Sequence, residues 1–120
     1  MRCKPLPTMI EDLRAVSALL RKHGRAKDAA WFGRLIAVAE SEPGEFWRQF
    51  NCNEIWGGAG SIVDQFLIPG TAEHIDRKND RKQFYESMAR LAHEMAAAGI
   101  VNSRAQSAAQ AFEYWATNSL

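Results

Sequence analysis

The chain has 120 residues, 47% of them apolar and 24% charged, which suits one compact domain and argues against intrinsic disorder. Fifteen Lys and Arg stand against fourteen Asp and Glu, a formal net charge of +1. No strong overall field is present to hold nucleic acid or anionic lipid.

Thr8-Met9-Ile10-Glu11 matches a capping box, in which threonine and glutamate side chains satisfy orphan amides at a helix start. Ile10, Leu13, Val16 and Leu20 recur at helical spacing and Leu19 widens the stripe. His23 and Gly24 supply a basic last turn and a left-handed stop, so the spacing predicts a first helix over 9–23. A second helix is expected over 27–40, with Trp31, Leu35, Val38 and Ala39 on its apolar face and Phe32 and Ile36 broadening it. Pro43 fits the first turn of a new segment, with Ser41 as its expected cap. Residues 43–51 then form a short helix whose Phe46, Trp47 and Phe50 make a core plug.

The stretch Trp56-Gly57-Gly58-Ala59-Gly60-Ser61 carries three glycines in four residues, the strongest turn signal in the chain. Ser61 and Asp64 read as a helix start ahead of Ile62, Val63, Phe66 and Leu67, and Pro69-Gly70 ends that segment. A long helix is expected to begin between Asp76 and Asp80 and to run to Ala98, with Phe84, Met88, Leu91, Met95 and Ala98 as its seam. Gly99 and Ile100 suit a Schellman stop. Asn102 or Ser103 caps a last helix whose face is Ala105, Ala108, Ala109, Phe112 and Trp115. No segment alternates with period two, so the expected fold is a single all-α domain, 1–120, of five to six helices with a glycine-rich turn in the middle.

Two cysteines, Cys3 and Cys52, are too few for a disulfide framework and read as reduced thiols. The basic residues of Met1 to Lys4 are followed by no apolar run, and Glu11 and Asp12 fall where a signal peptide needs one. The sparsely charged stretch 55–73, with Asp64 inside it and Glu73 at its end, holds five glycines or prolines and does not suit a membrane span. A cytoplasmic protein with no membrane partner is expected.

Catalytic chemistry finds little to build on. His93-Glu94 opens a zinc-protease motif, but Ala97 stands where the second histidine must fall, and His23, His74 and His93 are far apart. Ser61 lacks the Gly-x-Ser-x-Gly elbow and is expected to cap a helix. Gly57, Gly58 and Gly60 precede a helix start that could favour an anion, yet the Walker lysine is missing and Asp64 would repel phosphate. A tight turn pressing Trp56 into the core is the preferred reading. Glu54 and Asp64 flank that turn as candidate carboxylates for acid–base work, and the alternative function is a small ligand-binding or enzymatic helical domain that uses the Gly57–Asp64 turn. Neither a catalytic residue nor a metal or other cofactor is expected.

Charge is distributed unevenly behind the neutral total. Residues 13–37 carry Arg14, Arg21, Lys22, Arg25, Lys27 and Arg34 against Asp28, a local sum of +5. Residues 38–64 carry Glu40, Glu42, Glu45, Glu54 and Asp64 against Arg48, a sum of −4. Either the blocks neutralise each other across neighbouring helices, or the acidic one docks a basic partner. Arg21, Lys22, Arg25 and Lys27 would be the contacts in a nucleic-acid role, which the composition does not favour. The 84–98 seam could pair two copies as a homodimer, although one flank of a monomer core is the preferred assignment.

The segment from Ile55 to Asp64 resembles a motif of small, helical bacterial proteins: an aromatic, two glycines, any residue, Gly-Ser, two variable residues and an acid. Trp56, Gly57, Gly58, Gly60, Ser61 and Asp64 are the matching positions. Those proteins are similar to immunity proteins encoded beside secreted antibacterial toxins, including toxins of contact-dependent and type VI secretion. The resemblance implies a stoichiometric inhibitor that occludes the active site of a cognate toxin, with the glycine motif serving the fold. Partner contact is then expected at Glu40, Glu42, Glu45, Glu54 and Asp64, with Trp47 as an aromatic anchor.

Overall fold

The computed structural model describes residues 5–57, 62 and 78–118. Six helices are present among them: α1 (Pro7–Lys22), α2 (Ala26–Ser41), α3 (Pro43–Phe50), α4 (Asn53–Trp56), α5 (Lys78–Ala97) and α6 (Ser103–Asn118). The fold is all-α, and the described residues contain no strand.

Helix α1 begins earlier than the capping box implies. Its N-cap is Leu6, no side chain caps it, and Pro7 opens the helix. Proline's fixed φ already suits the first helical position and its missing N–H would be unsatisfied there in any case, so Pro7 outranks Thr8 as the start signal. The Leu6 carbonyl accepts from the amides of Met9 and Ile10 at 2.9 and 3.2 Å.

Helix α1 ends in a Schellman turn. Gly24 has φ +81°, the Gly24 amide donates to the Arg21 carbonyl at 3.2 Å, and the Arg25 amide reaches back to Leu20 at 2.7 Å. The same device closes α5: Gly99 has φ +84°, with Gly99 N to Ala96 O at 3.0 Å and Ile100 N to Met95 O at 3.1 Å. Asn102 caps α6, its Oδ1 accepting from the Ala105 amide at 3.0 Å. Ser41 does not cap α3; Glu42 holds that position, and the Ser41 hydroxyl donates back to the Ala37 carbonyl within α2.

Helix α1 packs against both α2 and α5, α5 packs against α6, α3 lies on α2, and α4 touches α6. Met9, Leu13, Val16 and Leu20 of α1 meet Phe84, Met88, Leu91 and Met95 of α5 in one buried cluster with Ala105, Ala108, Ala109 and Phe112 of α6. The alanines let α6 approach α5 closely, leaving Phe112 edge-on to Phe84 at 5.8 Å and stacked on Tyr85 at 5.2 Å. On α2 the buried face is Ala29, Phe32, Leu35 and Ala39, while Trp31, Ile36 and Val38 are only partly covered. The apolar stripe is therefore centred on Phe32 rather than Trp31. Ser17 contributes a buried polar tie between helices, its hydroxyl donating to the Ala29 carbonyl at 2.9 Å.

Candidate functional site

The acidic block divides into carboxylates already engaged and carboxylates left open. Glu45, in the first turn of α3, accepts from Arg48 through both Nε (3.0 Å) and a terminal guanidinium nitrogen, and from Gln49 Nε2 at 2.7 Å. Those donors, Arg48 foremost, lower its carboxyl from 4.5 to about 2. Glu40 in the last turn of α2, Glu42 at the α2–α3 junction and Glu54 on α4 are exposed and make no ion pair among the described residues. Asp64 lies outside the described residues.

Trp47 is not available as an anchor. It is 3% exposed and meets Phe46 edge-on at 5.0 Å, while Phe46 stacks on Phe50. The spacing 46, 47, 50 places all three rings on one side of a two-turn helix, so α3 commits Trp47 to the core along with its neighbours. Trp56 completes this aromatic group. It is buried, edge-on to Phe50 at 5.5 Å, and its indole N–H donates to the Phe50 carbonyl at 3.1 Å. Gly57 beside it is buried; Gly58, Gly60 and Ser61 lie outside the described residues, while Ile62 joins the core.

Part of the basic block finds partners nearby or on α5. Arg25 pairs with Asp28 at 2.8 Å, and Lys22 and His23 both reach Asp80, at 2.7 and 3.1 Å. Lys22 and then His23 hold the Asp80 carboxyl below its ordinary value. Arg34 lies over the Trp31 ring, 5.3 Å from its centroid.

A further ion pair links α1 to α5. Arg90 donates to both oxygens of the nearly buried Asp12 at 2.9 to 3.2 Å, which raises the Arg90 pKa. Sequence reasoning missed it, because 78 residues separate the two and neither forms a local pattern. His93 and Glu113 meet at 3.2 Å on the outside of α5 and α6.

Cys52 is half-buried, and burial first, with the Glu54 carboxylate acting in the same direction, pushes its thiol up to about 11. A thiol so shifted is a poor nucleophile at neutral pH. Among the described residues, no group of three or more His, Cys, Asp and Glu side chains is placed to hold a metal ion, and no helix is long and apolar enough to cross a membrane.

Among the described residues, surface grooves include two that bear on the charged side chains. One, of about 240 Å³, lies between α5 and α6 over Ala89 and Ala116, with Arg90, His93 and Glu113 on its walls. The other, of about 610 Å³, lies where the start of α1 meets the end of α2, lined by Pro5, Pro7, Ile10, Glu11, Arg14 and Glu40. Comparisons with protein-family models, with curated proteins and with solved structures found no match to the chain.

Proposed function

We propose that this protein is an immunity-type inhibitor that binds a cognate antibacterial toxin and covers its active site, working by surface complementarity rather than by turnover. The observation that carries the reading is the set of exposed carboxylates at Glu40, Glu42 and Glu54, which form no ion pair among the described residues. Open carboxylates speed encounter with a basic surface and penalise wrong partners. The resemblance of residues 55–64 to immunity-type proteins points the same way. Glu45 contributes less than its position in the acidic block suggests, because Arg48 already neutralises it.

The test is co-expression with the product of an adjacent toxin-like reading frame, scored by growth, followed by measurement of Kd and on-rate with the purified pair. Rescue of growth and nanomolar, salt-sensitive binding are expected. Reversing Glu40 and Glu42 to lysine should slow association about tenfold or more at low salt, as loss of electrostatic steering does. A toxin that kills equally with and without this protein would refute the reading.

A further inference from the structure

The two grooves differ in how their charges are used. In the α5–α6 groove Arg90 is paired to Asp12 and His93 to Glu113, and of the charged lining Glu86 makes no ion pair among the described residues. In the α1–α2 groove, Glu11, Arg14 and Glu40 line the opening and none makes an ion pair among the described residues. Its remaining lining is apolar and stiff: two prolines and the half-buried Ile10.

Helix polarity adds to the negative side of this groove. The last turn of α2 contains no basic residue, and Glu40 lies there beside the negative end of the helix dipole. Acidic residues are disfavoured at such a position, and a cation seated there would relieve the repulsion. Glu11 approaches from α1, so carboxylates from two helices face one opening.

We infer that this groove seats an extended segment of the partner protein through a lysine or arginine side chain. The inference rests on the immunity reading above for the identity of that partner. The methylene stem of the guest residue lies along Pro5, Pro7 and Ile10, and its cationic head reaches Glu11 and Glu40. Arg14 donates to a backbone carbonyl of the same segment, which fixes its direction. A guest of the opposite sign would meet two carboxylates and a helix C-terminus against the single cation Arg14.

The probe is the blocked tripeptide acetyl-Gly-Arg-Gly-amide, titrated into the ¹⁵N-labelled full chain and followed by amide chemical shifts. Saturable shifts centred on Ile10, Glu11 and Glu40 are expected. The Glu11→Gln, Glu40→Gln double variant should bind at least fivefold more weakly. Both residues are exposed and without ion pairs, so an unchanged melting temperature is the expected control. Equal shifts from acetyl-Gly-Glu-Gly-amide, shifts centred elsewhere, or unchanged binding by the double variant would overturn the assignment. The toxin assay separates the two proposals. Full neutralisation by the double variant at wild-type affinity would refute the groove while the inhibitor reading stands. Saturable peptide binding at the groove without any neutralisation would support the groove and remove the toxin.

Discussion

One substitution, made at two glycines, should change stability in opposite directions. Gly24 closes α1 with φ +81°, and a Cβ placed there meets nothing within 4 Å. Gly24→Ala therefore adds no steric clash and isolates the backbone cost. Holding an L-residue in the left-handed region costs about 1–2 kcal/mol, while the stiffer unfolded chain offsets roughly 0.4–1 kcal/mol. A net destabilisation of about 1 kcal/mol follows.

Gly33 sits in the interior of α2, exposed, and its added Cβ likewise meets nothing within 4 Å. Here alanine gains its helix preference, about 0.8–1 kcal/mol of stabilisation. The two single variants have identical composition and should differ by about 2 kcal/mol. Urea unfolding followed by far-UV circular dichroism measures this directly, with a common m-value expected. For a chain of this size each change should move Tm by about 3–5 °C, downward at Gly24 and upward at Gly33. Gly24→Asn should fall between glycine and alanine, since asparagine tolerates the left-handed region. Wild-type stability or better in Gly24→Ala, or a loss of stability in Gly33→Ala, would refute the reasoning.

The Glu45 carboxyl is depressed in the folded chain, so its contribution is present above its ordinary 4.5 and is lost as pH falls toward about 2. Melting temperature should drop across that window in the wild type, and Glu45→Gln should flatten the drop; parallel profiles would contradict the Arg48 pairing. Arg90 is more than half exposed, so a double-mutant cycle with Asp12→Ala and Arg90→Ala should give a coupling of about 0.5–1 kcal/mol, and a coupling of zero would count against a stabilising α1–α5 bridge.

The parts of the fold that were legible in the sequence are those whose signals are local and repeated. The α5 seam announces itself through four spacings and a Gly-Ile stop, and its Schellman bonds form where that pair places them. Local signals fail where two compete over the same turn. Thr8 and Glu11 make a respectable capping box, yet Pro7 starts the helix two residues sooner and the box never closes. Trp31 and Trp47 show the same difficulty for aromatics: each fits an apolar face, and only tertiary packing determines that Trp47 is covered and Trp31 half so. For the candidate surface, the sequence shows where the acids cluster, but only the fold shows that Arg48 engages Glu45 among them. Glu11 drew attention as a cap, and the groove it shares with Glu40 exists only because α1 and α2 bring their opposite ends together.

The central place of α1 has a consequence for biosynthesis. It leaves the ribosome ahead of α2 to α6, yet one flank stays without cover until α5, beginning at residue 78, has also emerged. The nascent chain must carry part of the apolar face of α1, which includes Met9, Leu13 and Val16, until α5 has been made and that flank closes. Slowing elongation ahead of residue 78 should prolong the exposure and increase capture by chaperones, whereas slowing it beyond α5 should have a smaller effect.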